Sequence, residues 1–248
     1  MHSRSLRTLQ RLLLAAAAMS FLYPAASRAA PRNDKKKDPT VRWNEQASGC
    51  TFSRGTDGKV RYGLWSGDIG ITLAVDVQEL EKVHRRHEQF FAALLEFRYR
   101  GHGAIDVSGQ NISLEFVSHF QVEQTTLDPD DFSQRIQNDA DALNDQTARE
   151  TKKNPEKKDE KEAFLRAYLK DSAELQEFVA KNSLRPAHLD AANPSASGWV
   201  LFSTKSKWIG EWKKQEQFIL RVPLDGKVYE FPFTLPPAPG EVILRKRN

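Results

Sequence analysis

The 248-residue sequence has few of the residues and motifs by which enzyme active sites are usually recognised. Its single cysteine, Cys50, cannot form an intrachain disulfide, and we expect this thiol to be buried. Neither a Gly-x-Gly-x-x-Gly fingerprint nor a phosphate-binding loop is present. Ser66 lies in the pentapeptide Gly-Leu-Trp-Ser-Gly, which lacks the Gly-x-Ser-x-Gly spacing of a hydrolase nucleophile. We therefore predict a protein with no catalytic residues and no cofactor.

The first 29 residues have the three parts of a secretory signal peptide. Three arginines and no acidic residue precede an apolar run at residues 12–22. That run is about half as long as the roughly 20 residues a helix needs to cross a bilayer. Small residues at Ser27 and Ala29 favour cleavage after Ala29. The sequence therefore predicts a mature chain that is secreted or periplasmic.

The net charge of +4 comes entirely from this predicted leader. The whole chain has 37 Lys and Arg against 33 Asp and Glu, and residues 1–29 contain four arginines and no acid, which leaves 33 of each. A formally neutral protein has no general attraction for polyanions, so we expect no nucleic-acid partner. Residues 30–42 are locally basic and are predicted to form a solvated linker.

Apolar and polar residues alternate from Val60 to about Glu123, which predicts half-buried β-strands. The alternation is clearest at residues 69–77. Residues 78–100 fit both a helical face and a strand. We favour a short helix to about Glu88, followed by a strand from Phe90 to Tyr99.

The alternation returns near the end of the chain, at residues 199–202 and 217–222. Asp225-Gly226 favours a hairpin turn whose two central residues need positive φ. A return strand is predicted from Val228 to Phe233, and residues 242–244 are predicted to add a short last strand.

Residues 128–185 are free of glycine and dense in charge, and their apolar spacing is helical. Asp128-Pro129 and Asn154-Pro155 are two helix starts, because Asp and Asn cap a helix and proline is favoured at its first position. The predicted apolar stripes are Phe132, Ile136, Ala140 and Leu143 in the first helix, and Phe164, Leu165, Tyr168, Leu169, Leu175 and Val179 in the second. We expect two antiparallel helices with charged outer faces.

Two segments resemble exported immunoglobulin-like β-sandwich domains of bacteria. The first runs from the predicted strand at residues 91–99 through Gly101-His102-Gly103 to Ile112-Ser113-Leu114. The second is the strand at residues 198–202, where a glycine precedes an apolar run. The resemblance covers about half of the mature chain, and it implies a fold and an exported location but no particular chemistry.

The predicted fold is therefore mainly β with an α insertion, an immunoglobulin-like β-sandwich interrupted by an αα-hairpin. The predicted segments are a signal peptide (1–29), a basic linker (30–42), the first part of the sandwich (43–127), the helical insertion (128–185) and the second part of the sandwich (186–248).

His84 and His87 are weak candidates for metal binding, because residues three apart on a helix share one face. Arg85 and Arg86 lie between them and oppose a cation, and no third ligand follows from the spacing. The segment also lacks the His-Glu-x-x-His order of zinc peptidases. We therefore predict no metal site and interpret the segment as a basic, solvated helix face.

The strongest candidate for recognition is a stretch in which tryptophan and lysine alternate. Such side chains stack on rings, lie at lipid headgroups or hold anions. They also suit a plain loop whose tryptophans pack on a sheet. The predicted partner-binding residues are Lys205, Lys207, Trp208, Trp212, Lys213 and Lys214.

From the sequence we predict a non-enzymatic binding or structural module of the bacterial cell envelope. It would present the helical hairpin and the Trp/Lys loop to a protein or polymer partner. Two alternatives stay open at this point: an extracytoplasmic hydrolase assembled from residues distant in sequence, and a peripheral membrane-binding protein that uses Trp208 and Trp212.

Overall fold

A computed structural model describes residues 38–75, 90–119, 121–204 and 215–235. In these ranges the strands, in chain order, are β1 (Thr40–Arg42), β2 (Cys50–Arg54), β3 (Val60–Ser66), β4 (Ile69–Val75), β5 (Phe90–Tyr99), β6 (Ile105–Val107), β7 (Ser113–Phe116), β8 (Val122–Thr125), β9 (Ala187–Leu189), β10 (Ser195–Ser203), β11 (Glu216–Leu224) and β12 (Lys227–Leu235). Between β8 and β9 lie two α-helices, α1 (Pro129–Lys153) and α2 (Lys158–Asn182), joined by a 3₁₀ turn (Pro155–Lys157).

The strands form two five-stranded sheets and one two-stranded ribbon. Sheet A has the order β1-β12-β11-β7-β8, sheet B has the order β10-β5-β4-β3-β2, and β6 pairs with β9. All neighbours are antiparallel except β1, which runs parallel to β12. Strands from both sides of the helical segment share each sheet, because β10 pairs with β5 and β11 pairs with β7. The described chain is mainly β with one helical segment, as predicted.

The two sheets pack face to face around aromatic side chains. The ring of Phe91 in β5 lies 5.3 Å from Phe218, 6.3 Å from Phe233 and 6.4 Å from Phe116, measured between centroids. The last three rings all belong to sheet A, so a side chain of sheet B inserts directly among those of sheet A. The predicted strand at Phe90–Tyr99 is confirmed, and most of its side chains are buried, which contributes to the hydrophobic driving force for folding.

The β11–β12 hairpin forms at the predicted Asp225-Gly226 turn. Both residues have positive φ, 51° and 65°, which is the backbone that such a two-residue turn requires. The strands on either side pair in register from Glu216–Leu235 to Leu224–Lys227. This register places Phe218 opposite Phe233, on the face that meets sheet B.

On its outer face, sheet A carries a network of charged side chains centred on Arg221. Its guanidinium lies 2.6 Å from Glu115, 3.0 Å from Glu230 and 3.2 Å from Glu123, and Glu230 also lies 3.3 Å from Arg42. Burial by itself lowers the pKa of Arg221, but its hydrogen bonds to Glu115 and Glu230 outweigh that effect and raise it. The network ties all five strands of the sheet together.

The first helix starts where the sequence predicts. The Asp128 side chain accepts hydrogen bonds from the backbone N–H groups of Asp130 and Asp131, and Pro129 is the first helical residue. The second start is displaced, because residues 155–157 form a 3₁₀ turn and α2 begins only at Lys158. Asn154 makes no capping hydrogen bond through its side chain, so the predicted second cap is wrong.

Two further expectations need correction. Residues 40–42, at the end of the range predicted as linker, form β1, because Val41 is an apolar residue that packs against the core beside β12. Cys50 is half-buried rather than buried, and its Sγ accepts a hydrogen bond from the backbone N–H of Asn44 at 3.4 Å. The predicted leader, the predicted helix before Glu88 and the predicted strand at residues 242–244 lie outside the described residues.

Candidate functional site: the helical hairpin

All of the site residues predicted from the sequence lie outside the described residues, and their roles stay predictions. These are Lys205, Lys207, Trp208, Trp212, Lys213 and Lys214 of the Trp/Lys loop, and the weak metal candidates His84 and His87. Within the described part of the chain, no three His, Cys, Asp or Glu side chains are grouped so that they could hold a metal ion. Nor is any of its helices long and apolar enough to cross a membrane.

The helical hairpin (residues 129–182) is attached at both of its ends to the edge strand β10 of sheet B. The backbone N–H of Leu127, just before α1, donates to the carbonyl of Leu201 at 2.7 Å. The N–H of Leu184, just after α2, donates to the carbonyl of Trp199 at 2.9 Å. The two ends of the insertion thus continue the sheet sideways and cover backbone groups that an edge strand would otherwise expose.

A glycine permits this close approach. A Cβ atom at Gly198 would lie well inside van der Waals contact with the backbone of Ser183 and Leu184. No residue larger than glycine fits at this position while the end of α2 stays in place. Gly198 therefore fixes where the hairpin joins the sheet.

Two aromatic pairs and one ion pair also hold the base of the hairpin, the end at which both helices join sheet B. The ring of Phe132 in α1 lies 5.4 Å from Phe90, and the ring of Phe178 in α2 lies 5.5 Å from Trp199. Arg185 holds both carboxylate oxygens of Asp130, at 2.9 and 3.0 Å. Because that pair is largely exposed, the aromatic contacts contribute most to holding the base on the sheets.

Near the base, the two helices pack through a buried seam. Ile136 of α1 and Leu175 and Val179 of α2 are all buried. Further out, the contact between the helices becomes polar, and Lys161 pairs with Glu150. The hydrogen bond from Lys161 is the main reason that the pKa of Glu150 is lowered. The apolar seam thus gives way to exposed polar contacts towards the far end of the hairpin.

The far half of α2 carries an apolar surface that α1 does not cover. We call residues 163–169, Ala-Phe-Leu-Arg-Ala-Tyr-Leu, the distal band; six of these seven residues are apolar. Phe164 is 55% exposed and Leu169 is 38% exposed, and no other large hydrophobic side chain of the described residues is exposed. The two lie on different sides of α2, since five residues turn a helix by about 140°.

These exposed residues correct the apolar stripe predicted for the second helix. Leu175 and Val179 are buried as that stripe requires, but Phe164 and Leu169 are not. The physical reason is that α2 has one neighbouring helix in its far half, and one neighbour covers only part of a helix that is apolar on most sides. The sequence signal was present in residues 163–169, where apolar residues leave no polar face.

Comparison with known proteins identifies no relative of this chain. No family model, no curated protein and no solved structure matches it. Exposed apolar side chains on a helical pair that is anchored at both ends form a suitable surface for another protein.

Proposed function

We propose that this protein is an exported, non-enzymatic binding module of the bacterial cell envelope that docks a protein partner on its helical hairpin. In this proposal the two sheets form an immunoglobulin-like sandwich interrupted by the αα-hairpin, and the mature chain begins at Ala30. The sandwich is the stable base, and the hairpin holds the binding surface at a distance from it. Each helix of 25 residues spans roughly 37 Å.

The exposure of Phe164 and Leu169 is the observation that carries the proposal. Both side chains lie on one helix, within two turns of each other, while the other large apolar side chains of the described residues are at least partly covered. Exposed large apolar side chains close together on one element are a feature of protein interaction sites. Aromatic side chains are also among the frequent hot spots of binding surfaces.

The Trp/Lys loop is a second part of the same proposal. It rests on the sequence alone, on Trp208 and Trp212 among four lysines. If this loop binds the partner, Trp208→Ala with Trp212→Ala abolishes capture while the melting temperature changes little. If the two rings are core residues, the same double substitution costs several kcal/mol, on the order of 3 or more.

The test is capture of envelope proteins by the purified mature protein. Phe164→Ser with Leu169→Ser removes both exposed apolar side chains, and we expect it to abolish capture of specific partners. Ala173→Ser with Ala180→Ser is the matched control, because it places two serines on exposed positions of the same helix. The control is expected to capture as the wild type does.

The outcome separates binding from folding, because both double variants change exposed positions only and are expected to unfold at the same denaturant concentration as the wild type. Undiminished capture by the Phe164→Ser, Leu169→Ser protein would rule out the distal band as the docking surface.

A further inference from the structure

A cleft of about 430 Å³ lies where the chain leaves β1 and crosses from sheet A to sheet B. None of its lining residues belongs to the helical hairpin. Its lining includes Trp43 and Glu45 from the crossing segment, Phe52 and Tyr62 from sheet B, and Arg42 at the rim. This volume is within the range of about 300–1,000 Å³ that small-molecule sites occupy.

Proline explains why the cleft opens at this point. The last backbone hydrogen bond of the β1–β12 pairing is donated by the N–H of Trp43, just after β1, to the carbonyl of Glu230 in β12, at 2.8 Å. Every second residue of β12 forms its backbone hydrogen bonds with β1, starting with Val228 and Glu230. The next hydrogen bond of this ladder would therefore need the backbone N–H of residue 232 as its donor. Residue 232 is Pro232, which has no N–H. The pairing therefore ends after Arg42, and the departing chain leaves the edge of β12 uncovered by any strand of the described residues.

Three aromatic rings from two chain segments form one wall of the cleft. Trp43 meets Tyr62 edge-on at 5.1 Å, and Phe52 lies 5.1 Å from Tyr62 and 6.3 Å from Trp43. The indole N–H of Trp43 donates to the backbone carbonyl of Thr51 at 3.1 Å, which fixes the orientation of the ring. The wall is therefore preorganised, with the half-buried rings of Trp43 and Phe52 available to a ligand and the buried ring of Tyr62 packed behind them.

The charged side chains at the rim of the cleft determine whether it favours a positively or a negatively charged ligand. Arg42 is balanced by Glu230 at 3.3 Å, and Glu230 is held in turn by Arg221 at 3.0 Å. Glu45 is exposed and forms no ion pair with any of the described residues. Among the described residues, the charge at the rim that has no ion-pair partner is thus a carboxylate near aromatic rings, and such surroundings attract a cation and repel an anion.

We propose that this cleft binds an organic cation, an ammonium group with apolar substituents. The substituents contact Trp43 and Phe52, the positive charge lies against those two rings, and Glu45 supplies the opposite charge. A cation–π contact contributes about 0.5–2 kcal/mol, which corresponds to an affinity change of roughly 2- to 30-fold.

The test uses two probes of nearly equal shape, choline and its neutral isostere 3,3-dimethylbutan-1-ol. Binding is followed through the indole N–H signal of Trp43 in ¹H–¹⁵N spectra of the whole mature protein, assigned with Trp43→Phe. We expect a saturable shift with choline and binding of the neutral isostere that is weaker by about tenfold. The Glu45→Gln protein should lose several-fold in choline affinity and bind the neutral isostere as the wild type does.

Glu156→Gln is the matched control, because it removes an exposed carboxylate in the turn between the helices, and choline affinity should not change. Equal binding of the two probes would overturn the proposal, as would the absence of a saturable shift or an unaltered choline affinity in the Glu45→Gln protein. Since Glu45 is exposed, loss of folding does not explain its effect. None of these results depends on whether the hairpin docks a partner.

Discussion

Phenylalanine is buried in the interior between the two sheets but exposed in the far half of the hairpin. Phe218 of β11 is 1% exposed and touches aromatic rings of both sheets, whereas Phe164 of α2 is 55% exposed. The difference lies in the number of neighbouring layers. A side chain between two sheets is covered from both sides, but one on a two-helix hairpin has a single neighbour. The sheets therefore supply stability, and the hairpin supplies surface.

The sharpest test of this comparison is a pair of matched truncations. Phe218→Ala removes a ring that packs against Phe91, Phe116 and Phe233, and we expect it to lower the free energy of unfolding by about 3–5 kcal/mol. Phe164→Ala should change that free energy by no more than about 0.5 kcal/mol. Urea denaturation of both proteins measures the difference. A loss of similar size at the two positions would break the comparison.

The join between the two regions should respond to a single added methyl group. Gly198→Ala places a Cβ atom against the backbone of Leu184, and we expect a loss of about 1–3 kcal/mol in the free energy of unfolding. Hydrogen exchange should speed up at the amides of Leu127 and Leu184. Gly109→Ala is the matched control, since an added Cβ there meets nothing closer than 3.7 Å. Protection of both amides in the Gly198→Ala protein would argue against this join.

The start of α1 should matter less, because its contribution is local. Asp128→Ala removes the carboxylate that accepts hydrogen bonds from Asp130 and Asp131, and a lost N-cap costs about 1 kcal/mol. Asp128→Asn keeps an acceptor and should restore most of the loss. Circular dichroism during urea unfolding measures both variants. Equal stability of Asp128→Ala and wild type would show that the base contacts alone set the helix start.

The smallest expected effect concerns the β6–β9 ribbon, where His188 lies 2.8 Å from Asp106. The hydrogen bond that the His188 ring donates to the Asp106 carboxylate raises the pKa of His188 above its ordinary 6.5. A raised folded-state pKa stabilises the protein below the unfolded-state value, and the contribution is lost as pH rises through the folded-state pKa. An NMR titration of His188 should give a lower pKa in the Asp106→Asn protein. An identical pKa in both proteins would contradict the pairing.

Regular periodicity made much of the fold predictable. The strand at Phe90–Tyr99, the Asp225-Gly226 turn and the helix start at Asp128 follow from local chemistry and are confirmed. Strands β1, β6 and β9 are only three residues long, which is too short for alternation to be recognised. Their pairing partners are distant in sequence, so tertiary contacts decide them.

The candidate site was less predictable than the fold. Helical spacing predicts which residues share a face, but not how much of a helix its neighbours cover, so Phe164 and Leu169 were assigned to a buried stripe. The cleft at Trp43 depends on Pro232, nearly 190 residues away along the chain, ending a strand pairing that only the topology reveals. Aromatic composition alone does not distinguish a core residue from a wall of a cleft.

Site-specific photo-crosslinking within intact envelopes tests the central proposal most directly. A photoreactive phenylalanine derivative at position 164 should give discrete crosslinked products with a partner protein. The same group at Asn138, an exposed position on α1 outside the distal band, should give none of those products. The same products from both positions, or no product from position 164 in a folded and exported protein, would contradict the proposal that the distal band is a docking surface.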